Sequence, residues 1–431
     1  MSSLACIILA AGDGTRMRSR LPKLLHPLGG RLVADYVIEL AQQLRVRPVV
    51  VVVGAGAREL RARLPRDWQT VTQGVRRGTG HAVSLALRAL PRHAQRVLIL
   101  YGDQPLLTVE TLRALVRAHQ AQRAACTLLT AHLDEPGECG RVLRHGELIV
   151  RIVEHADATQ EQRAIREVNT GTAVCERAAL DEALRHMTMA NAQHEYYLTD
   201  AITWLAQEPS LGPVLAHQTR DAGEAAGINS RRELAGAARV LRERVATRLM
   251  AQGVTIVDPA TTYIDADARI GQDTTIEPCT VIERDVVIGR RCRIGPFARL
   301  RSGVRLSDDV RVGNFAEVVR SRLGQRVRMN HCSYLGDATV EHDVNVGAGA
   351  ITANYDGRAK HPTRIGAGAF VGSGTIVVAP ATVGPRAVTG AGCVITRGTR
   401  VKPGRVVVGV PARPLPLHRH TAKTRTTPRK R

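Results

Sequence analysis

The sequence predicts an α/β chain built in two parts. An alternating strand–helix domain spans residues 1–228, one helix crosses residues 229–252, and a parallel β-helix occupies residues 253–411. Three observations carry this expectation. Apolar runs of strand length at residues 4–9, 49–53, 97–101, 126–131 and 148–153 are separated by helical stretches such as 79–90 and 109–122. That alternation is expected of a parallel sheet covered on both faces, with its site at the strand C-termini. Aliphatic residues then recur at six-residue intervals through the second half, the period of stacked β-helix coils. Between the two, Ser230-Arg-Arg-Glu233 reads as a capping box. Leu234, Ala238, Leu241, Val245 and Leu249 follow on one helical face, and Gly253 ends the run.

The first run breaks into Ala10-Ala11-Gly12-Asp13-Gly14, where small residues let backbone amides approach a ligand. Arg16 and Lys23 add two positive charges beside those amides, a combination suited to a polyphosphate. There is no Gly-Lys-Ser/Thr, and Gly12-x-Gly14 lacks the third glycine of a dinucleotide fingerprint. The strand at residues 97–101 delivers Asp103 to its tip through Tyr101-Gly102, and a carboxylate there suits Mg²⁺, which takes one or two protein oxygens plus substrate phosphates. Asn229 offers a second, neutral oxygen. Gln73, ahead of Gly78-Thr79-Gly80-His81, can donate to and accept from the edge of a base.

In the second half Ile264, Ile270, Ile276, Ile282, Ile288, Ile294, Leu300, Leu306, Val312 and Val318 keep a strict six-residue step. The phase slips, resumes at Leu323, Met329 and Leu335, slips before Val346, and returns from Ile365 to Val407. Residues 351–360 interrupt it and read as a loop ejected from a coil, a common place for function.

Composition bounds the partners. The 431 residues leave room for two or three domains, and 44% hydrophobic content supports real cores. Net charge is +22, but lysine stands only at positions 23, 360, 402, 423 and 430. The arginines are scattered and not interleaved with stacking aromatics, so no specific nucleic-acid partner is expected; their excess would attract anionic substrates. Residues 412–431 read as a basic disordered tail, most concentrated over 419–431. The eight cysteines show no metal or disulfide spacing, and no signal peptide or membrane-length run is visible. A soluble, cytoplasmic protein is expected.

The stretch from Leu9-Ala10-Ala11-Gly12 through Arg16-Met17 to Pro22-Lys23 resembles the signature of the sugar-1-phosphate nucleotidylyltransferases, a Rossmann-like fold. The resemblance implies that Arg16 and Lys23 contact the nucleotide phosphates and the transferred group. It makes Gln73, Gly78 and Thr79 a base-binding segment. Gly140, Glu154 and Asn169 fall in sugar-binding segments, Tyr101, Gly102 and Asp103 are substrate-binding, and Asp103 with Asn229 would hold Mg²⁺. The hexapeptide pattern looks like the left-handed, three-sided β-helix of the hexapeptide acyltransferases, which are typically trimers.

Together the halves resemble the bifunctional N-acetylglucosamine-1-phosphate uridylyltransferase/glucosamine-1-phosphate N-acetyltransferase family over roughly residues 4–411. This implies two steps toward UDP-N-acetylglucosamine, a bacterial cell-wall precursor. Acetyl-CoA would acetylate glucosamine-1-phosphate, and UTP would then give its uridylyl group to the N-acetylglucosamine-1-phosphate. His331 matches the catalytic base, with Glu317 placed to orient it. Arg301, Tyr334 and Asn345 would bind the sugar phosphate; Ala348, Asn354, Tyr355, Ser373 and Ala391 would bind acetyl-CoA. A homotrimer through the β-helix is implied. Cys139, Val319 and Gly409 stand where the family usually has tyrosine, lysine and arginine, with Arg320 as a substitute for the lysine. The β-helix also looks shorter than usual, as though coils were missing between Thr261 and Ile294. The alternative is a sugar-1-phosphate nucleotidylyltransferase with a weakened or inactive second domain.

Overall fold

The computed structural model describes residues 4–415, so residues 416–431 of the expected tail lie outside the described residues. The chain forms two compact units that divide after Leu241, inside the helix Arg231–Ala251.

The first unit is built on a nine-stranded sheet. Its order is Gln69–Gln73, Val49–Gly54, Leu4–Ala10, Arg96–Tyr101, Glu167–Glu176, Cys126–His132, Val214–Gln218, Leu148–Val153, Arg141–His145. Successive residues of the central strands enter opposite cores. Ile7, Val50, Val52, Val97 and Ile99 join one cluster, while Cys6, Ile8, Val49, Val51, Leu98 and Leu100 join the other. Period-two alternation between two apolar faces is what a doubly covered sheet requires.

The sheet departs from the expected all-parallel form. The first four strands are parallel, but Glu167–Glu176 lies antiparallel between Arg96–Tyr101 and Cys126–His132. Its sequence, Glu-Val-Asn-Thr-Gly-Thr-Ala-Val-Cys-Glu, has no long apolar run to announce a central strand. Leu148–Val153 is likewise one arm of an antiparallel hairpin with Arg141–His145. Among the parallel strands, register pairs Leu9 with Tyr101, Ala10 with Val53 and Gly54 with Gln73. The loops after these residues therefore leave one edge of the sheet together.

The second unit is a three-sided parallel β-helix, with sheets of ten, eight and eight short strands. Every aliphatic position of the six-residue series, from Ile264 to Val407, is buried in one continuous core, which Val245, Ala246 and Leu249 of the helix also enter. The first two phase slips are five-residue steps, from Val318 to Leu323 and from Leu335 to Val340. At the first, Ser321 satisfies the shortened corner: its hydroxyl donates to the Val319 carbonyl at 2.8 Å and accepts from the Ala338 amide at 2.9 Å. Before the ejected loop the core position is Thr352, 1% exposed, whose hydroxyl accepts from the Gly336 amide at 2.8 Å. A polar residue therefore hid one coil from the aliphatic count.

One corner carries Asp273, Arg291, Asp309, Arg326 and Asp343 on successive coils, all with positive φ. Arg291 forks onto Asp309 and Arg326 onto Asp343, and each guanidinium holds its partner carboxyl below the usual range. Alternating sign between stacked coils favours one register over its one-coil neighbours.

Glycine follows the aliphatic residue because coils stack closely there. A Cβ on Gly313 would lie 1.9 Å from the Asn330 carbonyl oxygen, a backbone atom that cannot swing aside. Gly313→Ala should therefore destabilise the β-helix by about 1–3 kcal/mol through overpacking. Thermal unfolding followed by circular dichroism checks this, and an unchanged melting temperature would refute the stacking argument.

Candidate active sites

In the first unit, the short turn Lys23–Leu25 turns Lys23 under the Gly12–Gly14 loop. Gly14 adopts φ 63°, and a Cβ there would meet the Lys23 Cβ at 2.6 Å, so the loop closes on the lysine stem only with glycine. The Lys23 ammonium is bonded to Asp103 Oδ2 and lies 2.8 Å from Asn229 Oδ1. The Ile228 amide donates to the Asp103 carbonyl at 2.9 Å, which brings residues 228–229 to the strand tip.

The expected capping box supports this placement. Glu233 Oε2 accepts from the Asn229 and Ser230 amides at 2.6 and 2.8 Å, and the Glu233 amide donates to Ser230 Oγ at 3.2 Å. A local helix-start signal thus orients a remote side chain. Two hard oxygens, one charged and one neutral, converge on a single cation. That donor set fits Mg²⁺ with phosphate oxygens completing its shell. No group of three or more His, Cys, Asp or Glu side chains suited to a metal occurs among the described residues.

Arg16 is exposed and paired with Glu138, and Asp13 with Arg76. Arg76 was not singled out by sequence, although the Arg76-Arg77 doublet ahead of Gly78 was its visible sign. Gln73 is 5% exposed, and its Nε2 donates to the Gly78 carbonyl at 3.1 Å, leaving the amide oxygen outside that bond. The segments around Gly78 and Tyr196 are tied by Gly80 N to Tyr196 O at 2.8 Å and Leu198 N to Thr79 Oγ1 at 3.1 Å. Gly102 N reaches Leu9 O at 2.9 Å, joining the two loops that carry Ala10-Ala11 and Asp103.

The expected sugar segments also meet. The Asn169 amide donates to the Gly140 carbonyl at 2.9 Å, and Glu154 Oε1 accepts from the Thr199 hydroxyl at 2.8 Å. The Tyr101 ring packs on Gly171. Burial, joined by the nearby Asp200 and Asp157 charges, pushes the Glu154 carboxyl up. Cys139 is half-buried, and its carbonyl accepts from Arg141.

In the second unit, one corner gathers four of the expected residues, His331, Ala348, Ser373 and Ala391. Asn314 pairs in register with His331 on the next coil. Counting three places beyond Arg328, Asn345, Phe370, Val388 and Val406, which align on successive coils, the same column continues through Ala348, Ser373, Ala391 and Gly409. Backbone bonds link the steps: Cys332 N to Asn314 O at 2.9 Å, Gly374 N to Ala348 O at 2.7 Å, and Gly392 N to Ser373 O at 2.8 Å. His331, Ala348, Ser373 and Ala391 are all exposed.

The orienting contact differs from expectation. His331 Nδ1 lies 3.2 Å from Asn314 Oδ1, whereas Glu317 Oε1 is 3.4 Å from Arg301 Nη1. Tyr334 and Asn354 approach each other, hydroxyl to Oδ1 at 3.5 Å, and Asn354 Nδ2 donates to Asp337. Asn345 pairs with Arg328, and the Tyr355 hydroxyl donates to the Gly357 carbonyl at 2.7 Å. Val319 is 2% exposed. The corner does turn at Arg320, with φ 44°, but the guanidinium forks onto Asp337 at 2.7 Å on both arms. It is thereby neutralised, and Arg301 is the less committed cation.

Comparison with known proteins gives the context. Residues 6–174 match the MobA-like NTP transferase domain, and residues 267–302 and 362–397 match the bacterial transferase hexapeptide. The bifunctional protein GlmU of Shouchella clausii is 41% identical over 92% of this chain and 94% of its own length. That of Desulfitobacterium hafniense strain DCB-2 is 40% identical over 98% of both chains, and that of Geobacillus sp. strain WCH70 is 42% identical over 90% and 92%. A solved UDP-glucose pyrophosphorylase complexed with UDP-glucose covers 56% of this chain and 98% of its own, at 17% identity and a TM-score of 0.46. Identity near two residues in five, sustained over nine tenths or more of both sequences, makes this chain a member of the bifunctional GlmU family.

Proposed function

We propose that this chain makes UDP-N-acetylglucosamine by two reactions, one in each unit. The observation that carries the proposal is the presence, in one chain of this family, of the Lys23–Asp103–Asn229 cluster and the His331 corner column.

In the second unit the amine of glucosamine-1-phosphate attacks the thioester of acetyl-CoA. A carbon–nitrogen bond forms, the amine proton passes to His331, the carbon–sulfur bond breaks, and His331 returns that proton to the CoA sulfur, which leaves as a thiol. Arg301, Tyr334 and Asn345 hold the sugar phosphate; Ala348, Asn354, Tyr355, Ser373 and Ala391 contact acetyl-CoA. In the first unit a phosphate oxygen of N-acetylglucosamine-1-phosphate attacks the α-phosphorus of UTP, and pyrophosphate departs. The chain's part is positioning and charge neutralisation by Arg16, Lys23 and the Gly12–Gly14 amides. Mg²⁺, held by Asp103 and Asn229, would neutralise charge on the phosphates when bound. Glu154 and Asn169 bond the sugar and its N-acetyl group, and the free oxygen of Gln73 accepts from the pyrimidine edge.

The working form is a homotrimer through the β-helix, located in the cytoplasm. The cytoplasmic reading is supported by eight free cysteines. No helix among the described residues is long and apolar enough to cross a membrane.

A two-part assay tests the proposal: pyrophosphate release with each nucleotide and sugar phosphate, and CoA-thiol release with glucosamine-1-phosphate. UTP should exceed ATP and GTP by several orders of magnitude, because a purine leaves buried polar groups unpaired. Preference for a purine nucleotide would overturn the uridylyl reading.

A further inference from the structure

We infer that Asn314, and not a carboxylate, fixes the working tautomer of His331. Asn314 is then a positioning residue for the acetyl transfer proposed above, and the inference rests on that reading of His331. The geometry comes from the fold itself. Asn314 ends the strand Arg311–Asn314, His331 ends Arg328–His331, and the two are register partners on adjacent coils. Gly313, immediately before Asn314, brings the two backbones into the close contact described above, which sets the side chains one above the other. Asn314 Oδ1 lies 3.2 Å from His331 Nδ1.

An amide oxygen can only accept. Nδ1 must therefore carry the proton, and the lone pair that takes the amine proton is left on Nε2. A neutral orienter has a second consequence. A carboxylate in this place would favour the imidazolium and raise its pKa, removing the free base near neutral pH. Glu317, three residues beyond Asn314, is engaged with Arg301 on the next face. Arg311 on the strand of Asn314 and Arg328 on the strand of His331 are exposed, and the adjoining strands present the Asn345 amide and the Tyr334 phenol. These groups remain in both variants at position 314, so a change there reports the side chain at 314.

The test uses the full-length protein and two readouts. The first is the pH profile of CoA-thiol release. The second is the pH dependence of His331 carbethoxylation by diethylpyrocarbonate, followed by peptide mass without substrate, which reports the neutral imidazole independently of turnover. Asn314→Leu should lower kcat about tenfold, the worth of one orienting hydrogen bond, with KM for both substrates little changed and an unaltered melting temperature. Asn314→Asp should move the acidic limb of kcat/KM, and the midpoint of carbethoxylation, upward by about one pH unit. Glu317→Gln should move neither midpoint. Unchanged kcat in Asn314→Leu, an unmoved midpoint in Asn314→Asp, or a midpoint that follows Glu317→Gln instead would each overturn the inference. Should Asn314→Leu fail to fold, Asn314→Asp decides alone. If His331→Ala retains acetyl transfer, the reading of His331 fails; if it abolishes transfer while position 314 is silent, only the tautomer inference fails.

Discussion

Asp103→Asn abolishes most pyrophosphate release and leaves CoA-thiol release intact: this is the largest effect expected in the first unit. Asp103 is a partner of the buried Lys23 ammonium, which also contacts Asn229 at 2.8 Å. Replacing the carboxylate by an amide keeps the shape but removes the negative charge at the strand tip. It also offers an NH₂ group where a cation must be held. Loss of one preorganised electrostatic partner at a reacting centre costs about a hundredfold to a thousandfold in rate. Mn²⁺ affinity, measured without turnover, should weaken in the same variant. Equal loss of both activities would point to misfolding, because the acetyl chemistry is assigned to residues of the other unit. Unchanged pyrophosphate release would remove Asp103 from the site.

What the sequence made visible was what short-range physics controls. The Gly12–Gly14 loop, the Ser230–Glu233 capping box and the six-residue series each express a constraint within a few residues, and all three occur as expected. The contacts that were not visible depend on which coil or strand lies next door. Glu167–Glu176 enters the sheet centre with a polar middle, so its neighbours could not be read from hydrophobicity. His331 meets Asn314 seventeen positions away, because one corner of that coil is a residue short. Counting coils at a uniform eighteen would misplace the partner. Arg320 stands beside Val319, where the resemblance implies a lysine. Its attachment to Asp337 depends on a left-handed corner that no pattern of residue types announced. Residues of the expected sites were nameable one by one; their partners required the stacking.

His331→Ala should lower acetyl transfer by about a hundredfold to ten-thousandfold, the usual contribution of a positioned general base, and spare uridylyl transfer. The side chain is exposed at the end of its strand, so its removal costs little packing. A fall in activity with an unchanged melting temperature would therefore reflect chemistry. The departures at Val319 and Gly409 bear on substrate affinity instead. Val319 is buried and apolar, Arg320 is neutralised by Asp337, and Arg301 shares its charge with Glu317 at 3.4 Å. On the proposed reading the sugar phosphate would meet one partly engaged guanidinium, and each lost charge-assisted bond weakens binding by about tenfold to a hundredfold. The wild-type enzyme should accordingly show a high KM for glucosamine-1-phosphate with turnover preserved at saturation. His331→Ala must then be compared with wild type at saturating sugar phosphate, since at low concentration weak binding would mask the loss of the base. No CoA thiol from the wild type even at saturation would reduce the β-helix to a structural or trimerising element. Full retention of acetyl transfer in His331→Ala would move the base elsewhere on the column.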